Sequence, residues 1–165
     1  MSPGLVSWDR QPEQIQNLFN PAFTALLVTE TVIGHNSDLD VPLLYIALPL
    51  VLQREIRRAL PRDVRTSLPI WVHEHPDLVL MLPSLARIVR PFTSDAILFA
   101  ANEGLLVISG DYSVRATGLP APAAALPEDR FGEIGDCVNR ARFIGRWLGR
   151  AGSTANVFSL LGMRP

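Results

Sequence analysis

Two of the chain's three histidines bracket a glutamate in "WVHEHPDLVL", Trp71 to Leu80, and imidazole beside carboxylate is the chemistry of a metal site. Spacing decides against it. On a helix, residues two apart point about 200° from each other, so His73 and His75 do not share an ion. On a strand they would share a face. However, Ser67 reads as a helix cap and Pro76 as the start of the next helix, which places the pair at a helix end. Zinc hydrolases need histidines at i and i+4 with the glutamate between them. His35 is the only further histidine. Histidines in a last helical turn, at the negative end of the helix dipole, are the ordinary account, and no metal site is expected.

Nucleophile chemistry fares no better. The lone Cys137 lies on or beside an apolar stripe and reads as a buried small hydrophobe. There is no Gly-x-Ser-x-Gly, no phosphate loop and no dinucleotide fingerprint. "RAGSTAN" sets a glycine and two hydroxyls before a helix start, where an anion can bind, although Ser153 as a simple cap is the plainer reading. No catalytic residues and no cofactor are expected, so the chain does not read as an enzyme.

Arginine is the other chemical signal, because all 15 basic residues are arginine. Codon bias of a GC-rich genome accounts for much of this, yet arginine is also the better bidentate partner for carboxylates and phosphates. Arg54, Arg57, Arg58, Arg62 and Arg65 lie close together, diluted by Glu55 and Asp63. Arg142, Arg146 and Arg150 repeat at i, i+4. Each group is either a solvated helix face or a docking patch. The net charge of −1 exerts no global pull on nucleic acid or membrane. Apolar residues make up 48% and charged ones only 19%, a balance that fits surface covered by partners.

The elements that must position these residues follow from caps and periodicity. At 165 residues the chain is the size of a single domain, 1–165. Pro12 and Glu13 open a first helix that stops near Asn20. Asn20 then caps a second with Pro21 at its first position, buried through Phe23, Leu26, Leu27, Val28, Val32 and Ile33, and ended by Gly34. "VPLLYIAL" reads as extended or irregular until Pro49 starts the helix "PLVLQREIRRAL". The apolar run Val41 to Leu52 falls short of the about 20 residues of a membrane span. No signal layout opens the chain and a single cysteine excludes an internal disulfide, so a cytoplasmic, membrane-free setting is expected.

Between residues 66 and 117 the pattern is three helices and a hairpin. The first is capped by Ser67 or Thr66 and runs through Trp71. The second runs from Pro76 to Arg90, kinked by Pro83 and stopped by Pro91, and the third is capped by Thr93 and ended by Gly104. "LLVIS", a Gly110-Asp111 turn and "YSVRAT" form the hairpin. That is the order of a winged helix. A DNA reader would need base-contacting side chains on the last helix before the wing, but "SDAILFAANEG" offers two acids and no arginine. A proline-alanine linker covers 118–127. C-terminal helices cover 128–162, with an apolar stripe of Phe131, Ile134, Val138, Ala141, Gly145 and Leu148. The predicted class is mainly α with a small β-hairpin, a winged-helix-like unit packed with N- and C-terminal helices.

Five segments together resemble the middle component of three-component ABC systems: "NLFNPAFTALLV", "IALPLVLQREIRRALP", "TSLPIWVHEHPDL", "ILFAANEGLLVISG" and "RARFIGRWLGRAGSTANVFSLLGMRP". They span most of the chain; Pro83 and the proline-alanine linker depart from the pattern. The resemblance implies a small non-catalytic subunit between an SMC-like ABC ATPase and an effector, often a nuclease. It also implies a role in prokaryotic defence against phage or foreign DNA, related to Lamassu-type systems. DNA would be met only indirectly, through the complex. Under this view Arg54, Arg57, Arg58, Arg142, Arg146, Trp147 and Arg150 are the candidate partner-binding residues. The alternative is a winged-helix DNA-binding regulator.

Overall fold

The computed structural model describes residues 20–120 and 132–164. The expected helix before Asn20, the expected start of the C-terminal helices at 128, Phe131 and most of the linker lie outside them. The described elements run α1 (Pro21–His35), β1 (Leu39–Asp40), α2 (Val41–Leu52), α3 (Arg54–Ala59), α4 (Leu68–Glu74) and α5 (Pro76–Asn102). There follow β2 (Leu106–Ile108), β3 (Ser113–Ala116), α6 (Glu133–Gly149) and α7 (Thr154–Leu160). The protein is mainly helical with one small antiparallel sheet.

Helix α1 is the centre of the core, packed on α6, α5 and α2. Asn20 caps it by accepting from the amides of Ala22 and Phe23 at 3.1 and 3.3 Å, with Pro21 behind it. Its buried threonines spend their hydroxyls on the helix itself: Thr29 donates to the Ala25 carbonyl and Thr31 to the Leu27 carbonyl, both at 2.8 Å. The helix ends at Asn36, whose left-handed φ of 59° lets its N–H reach the Ile33 carbonyl at 3.2 Å. Gly34, expected as the terminator, is instead buried inside the helix against α6.

The expectation of an extended "VPLLYIAL" is corrected: residues 41–52 form one helix with Pro49 inside it. Burial on every side explains this. Leu43, Leu44, Ile46, Leu48, Leu50 and Val51 are all buried, and among the described residues no strand pairs with them to satisfy an extended backbone. A helix satisfies its own. An interior proline costs about 3 kcal/mol, against about 1.5–3 kcal/mol gained for each large aliphatic buried. The break comes at Gln53, which is extended (φ −76°, ψ 113°) and separates α2 from α3.

A second correction merges two expected helices. Pro91 does not stop the chain, and residues 76–102 form the single helix α5. Its buried residues, Leu82, Leu85, Ala86, Val89, Thr93, Ala96, Ile97 and Ala100, keep helical spacing straight past both prolines. Pro83 is half-buried and Pro91 exposed, and the residues whose carbonyls they leave without an i+4 donor, Val79 and Arg87, also lie off the buried stripe. Thr93, expected as a cap, turns its hydroxyl onto the Val89 carbonyl at 3.1 Å. Gly104 does end the helix, at φ 72°. Its N–H bonds to the Ala101 carbonyl and that of Leu105 to Ala100, closing a Schellman motif.

The hairpin forms as expected. Asp111 Oδ1 accepts from the Ser113 amide and hydroxyl at 3.1 and 2.7 Å, which fixes the turn. A third strand joins it: the order is β1-β3-β2, with Leu39 opposite Val114 and Asp40 opposite Ser113. The hairpin's sheet therefore draws in residues that precede 66–117. Asp40 also accepts a hydrogen bond from the Thr154 hydroxyl, tying β1 to the start of α7. Ser153 caps α7 by accepting from the Asn156 amide at 3.2 Å.

Candidate partner interface

The seven candidate residues divide by burial. Arg57 is only 2% exposed. The turn at Gln53 swings α3 back so that its guanidinium sits between the end of α2 and the start of α6. One nitrogen donates to the Val51 carbonyl at 2.7 Å, a second to Glu133 Oε1 at 2.6 Å, and Nε to Asp136 Oδ2 at 2.8 Å. A cation thus caps the negative end of α2 and meets two carboxylates from the first turn of α6, where acids are favoured. Beside it lies Cys137, buried as expected, and that burial pushes its thiol up to about 11.

Trp147 is likewise interior, 1% exposed, with Nε1 donating to the Thr66 carbonyl at 2.8 Å. It meets Trp71 edge-on at 5.6 Å and stacks with Phe143 at 5.9 Å. Trp71 in turn donates Nε1 to the Ala59 carbonyl and stacks on the His75 ring at 5.1 Å. The His75 Nδ1–H bonds the Trp71 carbonyl at 3.0 Å. The histidine stretch is thus one end of an aromatic column that clamps α4 onto α6. His73 projects into solvent at the exposed end of α4. Among the described residues, no three histidine, cysteine, aspartate or glutamate side chains are gathered to hold a metal.

The other five candidates reach the surface. Arg142 Nε donates to Glu30 at 2.7 Å, linking α6 to α1, while its side chain stays half-exposed. Arg54 lies 3.7 Å from Glu133. Arg58, Arg146 and Arg150 are exposed and form no ion pair among the described residues. Arg142, Arg146 and Arg150 line a depression of about 490 Å³ with His35, Gly149 and Val64. Among the described residues no carboxylate lines it, and Arg146 and Arg150 have no charged partner there.

A further set, Arg87, Arg90 and Arg164, was not among the sequence candidates. The i, i+3 spacing of Arg87 and Arg90 is the only signal that points to it, since Arg164 is brought alongside by the fold.

No helix among the described residues is long and apolar enough to cross a membrane. No curated protein and no solved structure matches the chain. A family model does match, over residues 8–165, for the ABC-three component (ABC-3C) system Middle Component 3. The match covers nearly the whole sequence, including every element described above, and the chain belongs to that family of middle components.

Proposed function

We propose that the chain is a non-catalytic subunit bridging an SMC-like ABC ATPase and an effector, often a nuclease. The setting is a cytoplasmic prokaryotic complex that defends against phage or foreign DNA. Membership of the middle-component family supports a role among other subunits. The structural observation that carries the bridging role is the exposed, uncompensated pair Arg146 and Arg150 beside Arg142 at the end of α6. Exposed arginines without internal carboxylates suit an acidic partner surface.

The element order α1-β1-α2-α3-α4-α5 followed by the β2-β3 hairpin, with β3 between β1 and β2, supports a winged-helix-like arrangement. A protein partner suits it better than DNA. The last turns of α5 bury Ala96, Ile97 and Ala100 and expose Asp95 and Glu103, which would repel phosphates.

Charge reversal tests the proposal. R146E/R150E should fold with an unchanged melting temperature and lose co-purification with the ATPase or the effector. Undiminished co-purification with both would sink this placement of the interface.

A further inference from the structure

We infer that the groove between α2, α5 and α7 is a second docking site, taking an acidic segment of a partner protein anchored by one apolar side chain. The groove has a volume of about 500 Å³ and shares no lining residue with the depression at the end of α6. Its floor is apolar and aromatic, built from Tyr45, Ala86, Phe158 and Met163. Tyr45 spends its hydroxyl on Ser94 at 2.9 Å, which fixes the ring. A floor of this kind gains by covering an apolar side chain and loses by covering a polar one.

The rim supplies the charge. Arg87 and Arg90 stand on α5, and Arg164 comes from the segment after α7. All three are exposed, and among the described residues none of them makes an ion pair and no carboxylate lines the groove. Each of the three guanidinium groups offers a fork that fits a carboxylate.

A single nucleic acid strand would also bring negative charge, but it needs aromatic faces on which its bases can stack. Phe158 is 4% exposed and Tyr45 is half-buried with its hydroxyl held by Ser94, so among the described lining residues Tyr112 alone presents an open ring. Carboxylates flanking an apolar anchor suit the groove better. The proposed bridging role bears on which partner supplies the segment, not on the chemistry of the groove.

The experiment uses the isolated full chain and three labelled probes followed by fluorescence anisotropy. They are a short peptide of glutamates flanking a central phenylalanine, a glutamate-only peptide of the same length, and an oligothymidylate. The phenylalanine peptide should bind saturably. R87E/R90E and, separately, Arg164→Glu should each weaken it by at least about tenfold, because like charges then face each other. R146E/R150E should leave it unchanged. These substitutions lie at exposed positions, and an unchanged circular dichroism melt confirms that the fold is kept. No saturable binding, equal binding of the glutamate-only peptide, or tighter binding of oligothymidylate would each overturn the inference. Neither the ATPase nor the effector takes part, so failure here is separable from failure of the bridging role.

Discussion

Removing the guanidinium at position 57 would take the cation from Asp136, take the short ion pair from Glu133 while its longer contact to Arg54 stays, and leave the end of α2 without its cap. Glu133 and Asp136 are 30% and 50% exposed, so water partly replaces the lost cation. The cost is that of charged hydrogen bonds, about 1.5–3 kcal/mol, still more than an exposed ion pair is worth. Arg57→Ala should lose stability of that order in chemical denaturation, whereas Arg58→Ala, on the exposed side of the same helix, should change it by less than about 0.5 kcal/mol. Arg57→Lys should recover less than half, because one ammonium does not span the acceptors that a planar fork spans. Equal, small losses at both positions would show that Arg57 is not the buried staple described here. Nothing local in "REIRRA" separates Arg57 from Arg58. The difference lies in Glu133 and Asp136, 76 and 79 residues downstream. Trp147 was hidden in the same way, since its partners Trp71 and Thr66 come from the other half of the chain.

Two glycines make the contact between the central helices possible. A Cβ at Gly34 would lie 2.0 Å from the Arg142 carbonyl oxygen, and one at Gly145 2.0 Å from that of Thr31. The backbones of α1 and α6 therefore touch where they cross. Gly145→Ala would gain up to about 1 kcal/mol of helix propensity. The methyl, however, meets backbone rather than a movable side chain, and forcing the helices apart costs about 1–3 kcal/mol or more. The clash wins, and Gly145→Ala should lower the denaturation midpoint. Gly149→Ala is the control: its Cβ would meet only the His35 ring at 3.2 Å, which can give way, so its effect should be small or stabilising. Matching effects at the two sites would disprove the backbone crossing.

Elements written in local chemistry were legible in the sequence. The Asn20-Pro21 start, the Gly104 stop and the Gly110-Asp111 turn each depend on bonds within a few residues, and each is in place. Elements decided by burial were not. Pro49 and Pro91 are strong local breakers, and only the packing around α2 and the unbroken inner stripe of α5 override them. The third strand was illegible for a related reason: two residues at 39–40 become a strand only because β3 lies beside them.

Across the whole molecule, the net charge of −1 conceals how the arginines are sorted. Arg57 is spent inside, Arg142 and Arg65 are paired with Glu30 and Asp63, and the unpaired groups at α6 and at the groove share no residue. A subunit that bridges two partners needs two surfaces that act independently, and sites without shared contacts have nearly additive effects. In co-purification of the assembled system, R146E/R150E should therefore strip one partner and R87E/R90E the other, and only the combined variant should release both. Raising the salt should weaken both contacts, because exposed charges are screened beyond about 8 Å at physiological ionic strength. If either pair of reversals alone released both partners, the two patches would be parts of one composite surface. The subunit would then be a component held on one side of a preformed ATPase–effector contact, not a bridge between the two.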